Sequence, residues 1–184
     1  MLKRITIFCG SASTCPEKYN LLADHVGRTL ARQGRALVYG GGSRGLMGLV
    51  AMGAQAEGGH VTGVNVRRFA GSKYQLPVDK DMMTETMQER KVTLIEQGDG
   101  CIALPGGVGT LDELTEIYSL VQLSICSKPF GLLNYDHFFD GFLAQLRRMR
   151  EDNFLKEKDM ARLLVAEDIE TLLAMMDDAA RTEE

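Results

Sequence analysis

Short apolar runs alternate with longer segments in which apolar residues recur at helical spacing, from one end of the chain to the other. Residues 3–9 read as a first strand, followed by a small-residue loop, Gly10-Ser11-Ala12-Ser13. Pro16 and Glu17 open a helix to about Arg32, with Leu22, Val26 and Leu30 near one face, and Gly34 stops it. Residues 36–39 predict a second strand, 46–57 a second helix ended by Gly58-Gly59, and 61–64 a third strand. From Asn65 to Met82 the pattern fades into a long loop holding Arg67, Arg68, Gly71, Lys73 and Pro77, a length typical of functional walls or lids. A short extended piece at 82–84 leads into a helix over 87–97. Residues 101–104 predict a buried strand, 111–123 a helix, 129–133 a strand, 137–150 a helix and 163–165 a last short strand. Asp168 caps a final helix to about Met176, and the tail 181–184 is expected to be loose. Such alternation predicts an α/β fold: a Rossmann-like, doubly wound, mainly parallel sheet with helices on both faces, in a single domain over residues 1–180.

The glycine-rich turn Pro105-Gly106-Gly107-Val108-Gly109-Thr110 joins the strand at 101–104 to the following helix. Open α/β sheets bind ligands beyond the carboxyl ends of their strands. Glycine lets the backbone approach an anion, and the first N–H groups of a helix lack partners within it. These features predict a phosphate cradle at Gly106, Gly107, Val108, Gly109 and Thr110. The same residues also spell a capping box, Thr110-x-x-Glu113, so the turn alone leaves two readings open. Asp112 and Glu113 place negative charge beside the proposed phosphate. At least one of these carboxylates is therefore expected to point elsewhere, toward the sugar or reacting carbon of the same ligand.

A second loop, Gly40-Gly41-Gly42-Ser43-Arg44-Gly45, matches the dinucleotide pattern G-x-G-x-x-G. It follows the second strand rather than the first, and Asn65 stands where an acidic ribose ligand is expected. Gly41 and Gly42 are better read as a further wall of the pocket at Gly106, or as a tight turn. Ser11, at the end of the first strand, falls near the same place, where its hydroxyl can bind phosphate or simply open a helix. Glu89-Arg90-Lys91 reads first as a solvated helix face; the alternative turns Arg90 inward to pair with substrate or Glu113, a task suited to a permanently charged fork. Met82, Met83 and Met87 suit core packing or an adaptable wall for a base. Ser119 follows Glu113 on the same helix, with a hydroxyl that can face the site.

Composition narrows the partners. The chain has 184 residues, is 45% hydrophobic and carries a net charge of −4 with scattered basic residues. This argues against a nucleic-acid polymer, and a single phosphorylated small molecule is compatible with it. No apolar stretch is long enough to span a bilayer and no leader peptide is read at the start, so no membrane partner is expected. Cys9, Cys15, Cys101 and Cys126 form no C-x-x-C pair, which predicts free thiols in a reducing cytoplasm. His25, His60 and His137 have no metal-site spacing, and neither a metal nor a cofactor is expected.

The segment 104–113 resembles the P-G-G-x-G-T-x-x-E signature of the LOG family, the cytokinin riboside 5′-monophosphate phosphoribohydrolases, often mislabelled lysine decarboxylases. Phe8-Cys9-Gly10-Ser11 resembles the opening of that family, and Tyr39-Gly40-Gly41-Gly42-Ser43 with Gly45-Leu46-Met47-Gly48 its second glycine loop. Glu89-Arg90-Lys91 falls at its Arg-Lys pair, and Gln122-Leu123 with residues 128–134 resembles its later strand. The resemblance implies a Rossmann-like homodimer that hydrolyses the N-glycosidic bond of a nucleoside 5′-monophosphate, AMP or an N6-prenylated AMP. Carried over by position, Arg90 and Glu113 are the catalytic pair, and Lys91, residues 107–113 and Ser119 contact substrate. Three positions depart from the pattern: Gln88 stands where histidine is frequent, Asn65-Val66 where Ile-Pro is common, and Lys73 near an acidic substrate contact. Two other classes share features of the chain. A carrier of the molybdenum-cofactor type has the glycine loops without turnover, and a pyridoxal-dependent decarboxylase needs a Schiff-base lysine, for which no lysine here is placed.

Overall fold

The computed structural model describes residues 1–69 and 75–182. Its strands are β1 (Arg4–Phe8), β2 (Ala36–Tyr39), β3 (Val61–Val66), β4 (Lys80–Thr84), β5 (Gly100–Ala103), β6 (Phe130–Leu133) and β7 (Leu163–Ala166). Between and after them run α1 (Glu17–Arg32), α2 (Gly45–Ala56), α3 (Met87–Gln97), α4 (Val108–Gln122), α5 (Asp140–Glu151), α6 (Glu157–Met160) and α7 (Ile169–Thr182). The seven strands form one sheet in the order β4-β3-β2-β1-β5-β6-β7, with each pairing parallel. Leu22, Val26 and Leu30 of α1 pack with α2 and α7 on one face, while Leu94, Leu114, Ile117 and Val121 of α3 and α4 pack on the other. Both faces of the central strands are therefore buried, which is why they read as continuous apolar runs. Among the described residues no helix is long and apolar enough to cross a membrane.

Four differences from the sequence expectations have local causes. β3 runs two residues past Val64, because Asn65 and Val66 pair with Met83 and Thr84 on the edge strand β4. The long loop is shortened accordingly; Gly71 and Lys73 lie outside the described residues. α4 begins at Val108 rather than Leu111, so Thr110 is inside the helix and is not its cap. α5 begins at Asp140, because Asn134 Oδ1 accepts from Phe139 N at 2.8 Å and the chain first makes a 3-10 turn over Tyr135–His137. At the other end α7 continues through Ala179 and Ala180 to Thr182, so Arg181 and Thr182 are helical rather than loose. The expected cap at Asp168 is present: its Oδ1 accepts from Thr171 N at 2.8 Å.

One buried ion pair ties the chain's start to its last helix. Arg35 donates to both oxygens of Asp177 at 3.0 and 2.8 Å, and Leu2 N donates to the same carboxylate at 2.8 Å. The hydrogen bonds from Arg35 hold the Asp177 carboxyl below the usual carboxylate range. Asp177→Ala strands a buried guanidinium, which costs on the order of 3 kcal/mol. Thermal unfolding of the variant should show a midpoint lower by roughly 10 °C in a chain of this size. Because the folded pKa is depressed, the contribution is complete above the unfolded aspartate value, about 3.9, and fades as pH falls through the folded value. The gap between wild type and variant should therefore be full at pH 6 and shrink below about pH 4.

Candidate active site

Strand order reverses between β1 and β5, and the loops leaving their carboxyl ends part to open a crevice. Backbone bonds fasten the loops around it: Gly10 N donates to Pro105 O at 3.2 Å, and Met47 N to Gly10 O at 3.3 Å. The cleft has two adjoining lobes of about 370 Å³ and about 390 Å³ that share Ser11, Met47, Met87 and Arg90 as their common wall. The first contains the start of α4 with Glu113 and Lys91; the second is bounded by Gly40, Gly42, Asn65, Val66, Phe69 and Gln75.

A capping box sets the orientation of α3. Thr86 Oγ1 accepts from Glu89 N at 3.1 Å, and Glu89 returns to Thr86 N at 3.3 Å. With Glu89 spent at the helix start, Arg90 is directed inward and is only 8% exposed. Its guanidinium donates to Val64 O at 2.9 Å, Gly40 O at 3.0 Å and Glu113 Oε1 at 3.1 Å. Of the two sequence readings of 89–91, the solvated face fails for Arg90. A side chain on Gly40 would strike the guanidinium, so glycine there is what allows the fork to reach the sheet. Lys91 lies on the neighbouring side of α3 and pairs with Asp112 at 3.0 Å and Glu116 at 3.1 Å. Both carboxylates that crowd the glycine turn thus face a cation, Asp112 on Lys91 and Glu113 on Arg90, which resolves the repulsion expected from their sequence.

Burial pushes the Glu113 carboxyl above its ordinary range, and the Arg90 guanidinium opposes that shift. The hydrogen bond to Asp112, followed by that to Glu116, raises Lys91 and keeps its ammonium charged. A charged, ion-paired lysine suits an anionic ligand and not Schiff-base formation, which requires a free amine.

The start of α4 carries no side-chain cap: Gly107 occupies the cap position. Thr110 N and Leu111 N return to Gly107 O at 3.1 and 3.2 Å, while the N–H groups that precede them have no carbonyl partner within the helix. The glycines of the turn divide into two kinds. A side chain on Gly106 would strike Thr110 Oγ1, so this glycine serves the close packing of its own turn, and it lines an apolar side pocket with Tyr19 and Phe138 rather than the Glu113 lobe. A methyl group on Gly107 or Gly109 would meet nothing within 4 Å. Both face the open cleft with Val108, which is 83% exposed.

The remaining candidates separate. Ser11 and Gly42 line the cleft, whereas Gly41 is buried beneath Asn65. Ser119 is exposed and lines neither lobe, because six residues beyond Glu113 the helix has turned it away. Of the methionines, Met87 lines both lobes, Met82 packs on the core and Met83 is exposed. Sequence reasoning missed Met47 and Phe69 as cleft residues, and noted Asn65 only as standing where an acidic ribose ligand, or the Ile of an Ile-Pro pair, is expected. Met47 follows the second glycine loop by two residues on α2, a position legible only once that helix start is known.

Residues 47–176 match the family described as possible lysine decarboxylase. The chain is 40% identical to the cytokinin riboside 5′-monophosphate phosphoribohydrolase LOG of Oryza sativa subsp. japonica, over 89% of this chain and 68% of that one. It is 35% identical to the cytokinin riboside 5′-monophosphate phosphoribohydrolase of Rhodococcoides fascians, over 94% of this chain and 88% of that one. Among solved structures, the molybdenum cofactor carrier protein of Chlamydomonas reinhardtii shares the fold with a TM-score of 0.75 at 22% identity, over 98% of this chain and 99% of that one.

Proposed function

The chain belongs to the LOG family of phosphoribohydrolases, and on that premise we propose that it hydrolyses the N-glycosidic bond of a nucleoside 5′-monophosphate. The substrate is AMP or an N6-prenylated AMP, and the products are the free base and ribose 5-phosphate. The observation that carries this assignment is the buried contact between Arg90 and Glu113, set about one and a half helical turns from an uncapped helix start that faces the same lobe.

Breaking the C1′–N bond builds positive charge on the ribose ring. Glu113, beside that ring, stabilises the charge, orients a water molecule and takes its proton as the water oxygen bonds to C1′. The electron pair of the broken bond leaves with the base, which takes a proton from solvent, and Glu113 then returns its own to solvent. Arg90 fixes the Glu113 carboxylate through Nη1 and is not assigned the proton transfer. The first-turn N–H groups at Gly107, Val108 and Gly109 with Thr110 and Lys91 hold the phosphate. The base then extends past Arg90 into the lobe of Met47, Val66, Phe69 and Met87.

Two further features belong to this assignment. The exposed apolar Val92, Leu123 and Ile125 lie on or just past α3 and α4, Val92 and Ile125 lining one surface groove, and fit a homodimer, which sedimentation equilibrium would read as twice the chain mass. The four cysteines are free thiols, consistent with work in a reducing compartment.

Chromatography of the purified protein incubated with AMP and with isopentenyladenosine monophosphate tests the activity. Free base and ribose 5-phosphate should appear in equal amounts, and a faster rate on the prenylated nucleotide identifies cytokinin activation. Nucleotide bound and recovered intact would point instead to a carrier.

A further inference from the structure

The second lobe of the cleft has mostly apolar side walls and one fixed amide. Asn65 closes the end of β3 at 8% exposure and donates from Nδ2 to Asp81 Oδ1 at 2.7 Å. A carboxylate accepts hydrogen bonds and does not donate them. Asp81 therefore decides which way round the Asn65 amide sits: nitrogen toward Asp81, oxygen away from it. The oxygen lies over Gly41, where any side chain would collide with it, and it receives no hydrogen bond from the described residues. Asn65 lines the lobe beside Val66, and its oxygen is the amide atom that Asp81 leaves without a partner.

We propose that Asn65, oriented by Asp81, selects the base by accepting from its exocyclic amino group, so that the site takes 6-aminopurine nucleotides and rejects 6-oxopurine nucleotides. This rests on the placement of the base in the second lobe given above. A 6-oxo group would set its own lone pairs against the Asn65 oxygen and leave both acceptors unpaired, an arrangement that costs far more than a missing contact. A purine amine bearing one substituent keeps one N–H and is accepted; an amine bearing two is not. Asn65 is the specificity-determining residue, and Asp81, which touches no substrate, is its positioning residue.

Calorimetric binding and turnover are measured in parallel for AMP, IMP and N6,N6-dimethyl-AMP. Wild type should prefer AMP over both others by at least about tenfold in Kd and in kcat/KM. Asn65→Leu, similar in volume, should bring the three nucleotides within about threefold of one another, mainly by weakening AMP. Asp81→Asn, an exposed substitution with little scope to disturb folding, frees the Asn65 amide to turn over. This variant should lose the AMP preference and gain on IMP, a change that a purely structural role for Asp81 would not produce. Equal handling of AMP and IMP by wild type, or an unchanged preference in both variants, overturns the inference while leaving the hydrolase assignment standing. Selective binding of AMP without cleavage overturns the hydrolase and leaves the base selection standing. Binding of none of the nucleotides overturns both.

Discussion

Glu113→Gln is expected to reduce release of free base from AMP by about a thousandfold in kcat while leaving KM within a few-fold of wild type. The glutamine oxygen can still accept from Arg90 Nη1, so the contact that seats the side chain at 3.1 Å survives and the fold should be kept. What disappears is the negative charge beside the ribose and the ability to take a proton from water. The size of the loss corresponds to about 4 kcal/mol of transition-state stabilisation, reasonable for one buried carboxylate acting on a developing cation. The pH profile adds a second check on the same residue. Burial raises the Glu113 carboxyl and Arg90 pulls it back down, so the acid limb of kcat/KM should lie above the ordinary glutamate value of about 4.3. Arg90→Gln removes the opposing cation, and the limb should move to higher pH, with more activity lost at pH 6 than at pH 8. An acid limb that stays put in the Arg90 variant would mean that some other group titrates.

Much of this site was legible in the chain because its parts sit at the ends of strongly patterned elements. The alternation of buried strands and amphipathic helices fixes a parallel sheet, and a parallel sheet places the loops after β1, β2 and β5 together at its carboxyl edge. The side-chain directions were harder to read. T-x-x-E recurs along the chain, and two of its occurrences flank the site, Thr86-x-x-Glu89 and Thr110-x-x-Glu113. In sequence they are equal, and the expectation of a capping box attached to the second. The structure forms the box at the first and leaves the second uncapped, because Gly107 starts α4 three residues before Thr110. That difference separates the two glutamates: Glu89 is spent on the backbone, and Glu113 is free to meet Arg90.

Arg90 was ambiguous for a related reason. A charged triplet in a helix looks solvated, and the three carbonyl and carboxylate partners that justify burying one member come from β3, the loop after β2 and α4, all distant in the chain. Asn65 was hidden by its neighbour: β4 is an edge strand with mixed polarity, so the two residues it adds to β3 carry no apolar signal. Gly106 and Gly109 look alike in the turn, yet one is required by the packing of Thr110 and the other by nothing in the protein itself.

That last distinction leads to the second large effect, the dependence on the 5′-phosphate. Adenosine should be cleaved at least a hundredfold more slowly than AMP in kcat/KM, because phosphate bound at the start of α4 positions the ribose against Glu113 and its binding energy is used far from the breaking bond. Gly109→Ala isolates the cradle. The methyl group enters open space with no protein atom within 4 Å, at a helical position where alanine is favoured over glycine by about 1 kcal/mol. Thermal stability should therefore hold or rise slightly. In the proposed binding mode the same methyl stands where the phosphate approaches the backbone N–H groups, so kcat/KM for AMP should drop by roughly ten- to a hundredfold, while the slow rate on adenosine stays as it was. The ratio of the two substrates thus collapses in a protein at least as stable as wild type, which separates ligand binding from folding. AMP kinetics unchanged by Gly109→Ala would place the phosphate elsewhere in the cleft, and equal wild-type rates on AMP and adenosine would remove the need for a phosphate site altogether.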